Sequence, residues 1–192
     1  MQGVFEVTDQ ADTSSHLNDE MRQLIDESSM FFVATAPQSP TGSVNLSPKG
    51  LKDTFTILDD HRVAYLDLTG SGAETAAHLK ENGRITLMWM SHDPKAPNIL
   101  RIYGRGEVHE VGSLEFELLK GRFGEHIGTR GVIVVTILRT NLSCGFGVPV
   151  ATVFTERPEL DEWLSKKGEE KLLDYRNRNN RRSLDGLPGY LS

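Results

Sequence analysis

The chain reads as a mainly β protein, a small antiparallel barrel with peripheral helices and a helical C-terminal tail. Two observations predict this. The order of apolar β-type runs and amphipathic stretches is helix, about five strands with one helix spliced between them, another helix, a sixth strand and a helical tail, so no βαβ alternation appears. Arg84-Ile85-Thr86-Leu87-Met88-Trp89-Met90 is apolar on both faces, as in a strand buried from two sides or closed into a barrel.

The elements follow in order. Residues 1–16 are polar and unpatterned and read as a mobile N-terminal arm. Leu17, Met21, Leu24 and Ile25 fall at helical spacing within 17–29, with acids and Arg22 on the other side, which predicts an amphipathic helix that packs on a sheet. Met30 to Ala36 is a buried strand, ended by Pro37 and a turn through Pro40-Thr41-Gly42. Ser43 to Ser47 returns as the second strand, where Pro48 ends the pairing or marks an edge. Thr54 to Leu58 and Arg62 to Leu68 form a hairpin about Asp59-Asp60, and a helix over 73–82 stops at Gly83. Ile99 to Val111 is a strand in which Gly104 and Gly106 predict a bulge or a close approach. Leu114 to Phe123 is a short helix, and Val132 to Leu138 the most β-prone segment. Glu156 to Arg182 reads as helix, with Pro158 in its first turn and Gly168 dividing it; the tail from Ser183 to Tyr190 docks on its own barrel or on a partner subunit.

Composition narrows the function classes. A net charge of −6 over 192 residues implies no basic face for general nucleic-acid or acidic-lipid binding. The single cysteine, Cys144, excludes an internal disulfide and a multi-cysteine metal site, and it reads as a small buried hydrophobe with a site-lining role second. Six histidines show no paired metal spacing, so no metal is expected. The N-terminal stretch lacks the apolar core of a signal peptide, and no run approaches a membrane span. A cytoplasmic protein, free of membrane and nucleic acid, is the expectation.

Tyr65-Leu66-Asp67-Leu68-Thr69-Gly70-Ser71-Gly72-Ala73-Glu74-Thr75 joins a strand to a helix through a Gly/Ser turn. The first helical turn leaves N–H groups without internal partners, and the peptide dipoles add positive potential, so such a junction suits an anion. The hydroxyls of Thr69, Ser71 and Thr75 can contact phosphate oxygens or simply cap the helix. The stretch is neither a Walker loop nor the dinucleotide fingerprint.

This turn, the strand Val44-Asn45-Leu46-Ser47-Pro48-Lys49-Gly50, and His78-Leu79 with Asn82 ahead of Arg84-Ile85-Thr86-Leu87 resemble the pyridoxamine 5′-phosphate oxidase-like, FMN-binding split-barrel family over roughly Met30 to Pro149. The resemblance implies a six-stranded antiparallel split β-barrel spanning 17–155, a C-terminal extension over 156–192, and a homodimer with FMN at two sites between subunits. Carried over residue by residue, Asn45, Leu46 and Ser47 match the strand that contacts the flavin, with Lys49 at its end. Tyr65, Leu66, Asp67 and Leu68 run along the ring and ribityl chain, and Thr69, Gly70, Ser71, Glu74 and Thr75 fall on the phosphate turn. Members commonly carry a lysine or an Arg-Lys pair where this chain has Glu74 and Thr75. An acid at contact distance from phosphate costs about 1 to 4 kcal/mol. Lys49 is the expected compensating cation, with Arg62, Arg84 and Arg139 in reserve.

The implied function is an FMN-dependent oxidoreductase acting between the flavin and a small-molecule substrate or electron donor, with no evident acid–base catalyst in the sequence. The alternatives are a non-enzymatic flavin- or haem-binding sensor and a regulatory protein with a vestigial pocket. His78 lies one turn after Thr75, above the expected phosphate. Trp89 and Phe146 are aromatic and read as core before ligand stacking. The basic run 176–182 reads as a solvated helix end or an intersubunit salt-bridge strip.

Overall fold

The computed structural model describes residues 12–191. Most of the arm expected over 1–16 lies outside the described residues. Within it, Asp12–Ser14 forms a short strand (β1), and Leu17 is buried. The remaining strands are β2 (Met30–Thr35), β3 (Asn45–Gly50), β4 (Phe55–Asp59), β5 (Arg62–Leu68), β6 (Arg84–Met90), β7 (Asn98–Glu110) and β8 (Thr129–Cys144). The helices are α1 (Asp19–Glu27), α2 (Glu74–Asn82), α3 (Leu114–Leu119) and α4 (Glu159–Asn179).

One eight-stranded sheet runs β3-β2-β6-β7-β8-β5-β4, with β1 added on β8, and every pairing is antiparallel. The sheet curls into the split barrel expected from the sequence, with eight strands rather than six, because Asp12–Ser14 adds a strand on β8 and the Phe55–Asp59 and Arg62–Leu68 arms both pair into the one sheet. Its free edges are β3 and β4, and Pro48 sits within β3, where an edge strand tolerates a missing N–H. The β7–β8 register shifts between Tyr103 and Gly104, which is the predicted bulge. A Cβ on Gly104 would stand 2.5 Å from the Thr136 carbonyl oxygen, so only glycine lets the strands approach there.

The barrel interior is filled by alternate residues of the curled sheet. Phe31, Val33, Tyr65, Leu87, Trp89, Leu100, Ile102 and Ile133 are buried together, and Met21, Leu24 and Ile25 of α1 plug one end. Phe31 stacks on Trp89 at 5.2 Å and meets Tyr65 edge-on at 5.5 Å, which assigns Trp89 to the core. On the opposite face, Phe116 of α3 packs on Ala64, Leu66 and Val132.

α4 begins after Pro158 as expected, and non-helical backbone at Gly168 bends it. The bend lets Trp163 and Tyr175 meet edge-on at 5.1 Å with Lys167 over both rings. Leu164 of its first half is fully buried against Gly128, which has φ +82° and whose Cβ would lie 2.5 Å from Leu164 Cδ2. Substituting Gly128→Ala therefore adds both left-handed strain and an overlap. We expect a loss of about 2 to 5 kcal/mol in a denaturant melt.

Candidate functional site

β5 is central on one flank of the barrel, so its side chains from Val63 to Asp67 are all buried. A carboxylate forced into that position must be compensated. Asp67, 1% exposed, takes a hydrogen bond from Arg130 Nε at 2.9 Å, one from the Tyr190 hydroxyl, and Lys49 Nζ at 3.3 Å. Burial alone would raise the Asp67 pKa. The Arg130 and Lys49 charges and the two hydrogen bonds overcome that and hold it well below the ordinary carboxylate value. Lys49, the cation expected to meet a phosphate, thus already faces one carboxylate.

Three chain regions converge on Asp67, and two of them were invisible as site residues in the sequence. Arg130 opens β8, is 6% exposed, lies 4.5 Å under the Tyr190 ring, and keeps its Nη1 without a partner among the described residues. Tyr190 belongs to the C-terminal tail, which folds back on its own barrel. There Gly189 N–H donates to Arg181 O, and Tyr190 N–H to Asn180 O. The basic run read as a solvated end is only partly that. Arg176 is half-buried, donating from Nε to Thr69 Oγ1 at 2.8 Å and from Nη2 to Thr129 O at 3.3 Å. Asn180 is fully buried and donates to Gly70 O at 2.9 Å. The sequence marked Arg176 and Asn180 only as part of the basic run and Tyr190 only through the turn signals that predicted docking of the tail, and it carried no signal for Arg130.

The other half of the expected site forms a second hydrogen-bond network, although Asn45 and Ser47 share the inward face of β3 with Lys49. Asn45 donates to Thr75 Oγ1 at 3.0 Å and to Thr35 Oγ1 at 3.2 Å, and it accepts from Ser47 Oγ. Thr35 Oγ1 in turn meets Nδ1 of the fully buried His78, whose pKa burial lowers against the pull of Glu74, Asp185 and Glu81. α2 has no side-chain cap. Glu74 accepts the Leu184 N–H at 3.1 Å, and Asp185 accepts from Ser43 N–H at 2.6 Å, so the tail brings carboxylates to this end of the turn. Leu46 points outward, 64% exposed.

A cleft of about 1100 Å³ opens where the two free edges of the sheet face each other. It is lined by Lys49 of β3, Phe55 of β4, and Leu66, Leu68, Thr69 and Gly70 at the end of β5, and on another side by Phe154 to Arg157, Glu159 and Leu160. The volume suits a cofactor-sized ligand. Of the expected site residues, the structure gathers Lys49, Leu66, Leu68, Thr69 and Gly70 at this cleft. The Tyr65 and Asp67 side chains are buried behind its wall, and Asn45, Ser47 and Thr75 form the separate network described above. Ser71 is exposed on the turn.

The reserve cations are occupied elsewhere. Arg62 pairs with Asp59, Arg84 reaches Pro37 O, and Arg139 lies over the Tyr103 ring. Cys144 is exposed at the last residue of β8 rather than buried, and Phe146 is 63% exposed, not core. Among the described residues no metal-binding cluster of histidine, cysteine or acidic side chains is found, and no helix is long and apolar enough to cross a membrane.

Two outcomes follow from the buried carboxylate. Asp67→Asn leaves Arg130 and Lys49 without their counter-charge, and we expect it to cost about 3 kcal/mol or more at neutral pH in a denaturant melt. Because the folded pKa of Asp67 lies below its unfolded value of 3.8, its contribution is present above about pH 4 and is lost as pH falls further. Acid titration of thermal stability should show that loss in the wild type and a shallower one in Asp67→Asn.

Comparison with known proteins agrees with this fold. Residues 17–144 match the pyridoxamine 5′-phosphate oxidase family. The chain is 40% identical over 191 residues to the pyridoxamine 5′-phosphate oxidase family protein ustO of Aspergillus flavus, covering 90% of this chain and 75% of that protein. That coverage carries the likeness past residue 144 and into α4. A crystal structure from Lactobacillus delbrueckii, described as a candidate pyridoxamine 5′-phosphate oxidase, superposes with a TM-score of 0.51 at 21% identity, over 66% of this chain and 94% of that one. An FAD-binding protein of Mesorhizobium loti aligns with a TM-score of 0.49 at 12% identity, over 69% of this chain and 96% of that one. The chain belongs to the pyridoxamine 5′-phosphate oxidase-like family.

Proposed function

We propose that the protein is a flavoprotein that holds FMN in the cleft between the edges of β3 and β4 and serves as an oxidoreductase for a small donor or acceptor. The observation that carries this reading is a large cleft at the split of a family barrel, with a lysine on one wall and a Thr-Gly turn on the other. The residues present fit such a group in three ways. Phe31, Phe55, Leu66 and Leu68 offer apolar surface for a planar ring, Lys49 offers a cation, and beyond its own chain neighbours nothing but the Leu68 carbonyl oxygen, at 4.0 Å, stands near a Cβ built on Gly70. The first turn of α2, beside Glu74, fits an anion poorly.

A bound flavin supplies the hydride or electron transfer. The protein residues bind and orient it. Lys49, held by Asp67, keeps its ammonium at the cleft wall and favours negative charge there. The leading test is optical. After FMN is added and the unbound excess removed, the protein should retain the flavin absorption bands; a protein that emerges colourless refutes the reading.

We further propose a homodimer in solution. Val44 is 75% exposed just before β3 and Leu46 is 64% exposed on its outward face, beside the free sheet edge, as expected for a surface covered by a second copy. Sedimentation should give twice the monomer mass, and Leu46→Asp should shift it toward the monomer.

A further inference from the structure

A second cavity, of about 230 Å³, opens where the ends of α1 and β6 meet the segment that follows β8. Glu27, Ser28, Ser29, Met30 and Phe154 line both it and the larger cleft, so the two share a wall. His92 gives this cavity its chemistry. Its Nδ1 stands 2.8 Å from the Pro149 carbonyl oxygen, which can only accept, so Nδ1 carries the proton and neutral His92 keeps its lone pair on Nε2. Among the described residues, Nε2 has no hydrogen-bond partner. The rest of the lining is electronegative. Glu27 ends α1, at the negative pole of the helix dipole, and the last turn of that helix holds no basic residue, the reverse of the arrangement that stabilises a helix. Asp93 adds a second acid. Gln23 donates to Glu27 at 2.7 Å and the Lys95 N–H to Asp93 at 2.8 Å, but neither carboxylate is in an ion pair among the described residues, and no lysine or arginine lines the cavity. Phe154, its ring 4.9 Å from that of His92, offers an aromatic face of the kind that attracts a cation.

We propose that this cavity is a binding site for a small alkylammonium ion, with His92 Nε2 and the Glu27 carboxylate as its acceptors and Phe154 beside it. An ammonium group supplies what the lining lacks, a donor for the imidazole lone pair and a positive charge for two unpaired acids. An anion would meet both carboxylates and the carbonyl end of α1. A metal ion would find no cluster of three ligating side chains among the described residues. A neutral alcohol would leave the negative charge uncompensated. The assignment does not rest on the flavin reading of the cleft, since it uses only groups of the smaller cavity and the wall the two share.

The test titrates butylammonium, butanol and butyrate, equal in chain length and different in charge, into the full-length protein and two variants, at constant ionic strength. Binding is read from the side-chain NMR signals of His92 in the wild type, and from the melting temperature and the broadening of the ligand's own signals in all three proteins. Butylammonium should shift the His92 ring signals saturably and raise the melting temperature, while butanol and butyrate do neither. His92→Asn keeps an amide donor where Nδ1 meets the Pro149 carbonyl and deletes Nε2, and it should weaken butylammonium about tenfold. Glu27→Gln should weaken it by a similar factor while leaving the melting temperature of the free protein unchanged or higher, because it removes an acid from the negative end of a helix. The Glu27 variant decides the matter if His92→Asn disturbs the fold. Absence of butylammonium binding to the wild type, an equal response to butanol, or binding that Glu27→Gln leaves intact overturns the assignment. No arm contains flavin, so none of these outcomes touches the reading of the larger cleft.

Discussion

The structure depends on one buried carboxylate. Asp67 lies on a strand that is buried from Val63 to Asp67, and an uncompensated charge there would cost several kcal/mol. Its compensation draws in the free edge of the sheet through Lys49, the start of the long strand β8 through Arg130, and the C-terminal tail through Tyr190. Three parts of the chain with no sequence proximity are thereby held at one end of the barrel. A tyrosine hydroxyl, two cations and a carboxylate form a network in which each member lowers the cost of burying the others.

That network makes the C-terminal extension part of the barrel's functional end. Arg176, Asn180 and Tyr190 contact Thr69, Gly70 and Asp67 in turn, so the strand-to-helix turn is braced from outside along most of its length. The brace also sorts charge. The tail brings Asp185 beside the carboxylate of Glu74 near α2, whereas the end of α4 brings a guanidinium to the β5 side. A turn whose composition invites an anion along its whole length therefore has one acidic end and one basic end.

Much of this was legible in the chain. The antiparallel order, the boundaries of β2 and β5 to β7, the edge character of β3, the bulge at Gly104 and the stop at Gly83 all follow from local signals, because alternation, prolines and glycines report the backbone directly. The likeness of the Asn45 to Gly50 strand and the Thr69 to Thr75 turn to a known family was equally readable, as was the departure at Glu74. Lys49 was correctly singled out as a cation near the turn, but its carboxylate partner on β5 was not seen, since their proximity arises only when β3 and β5 close toward each other.

What the sequence alone determined is therefore the family, the barrel and the anion-friendly chemistry of one turn. Local propensity and pattern act over a few residues, and these features are written at that range. What only the tertiary structure decided is which groups meet at the turn: that Glu74 turns to the tail, that Asn45 joins Thr35 and His78, that Arg130 pairs with Asp67, and that Arg176 stands beside Thr69. Those meetings span up to 110 positions of chain, and charge compensation in a buried place recognises proximity in space alone.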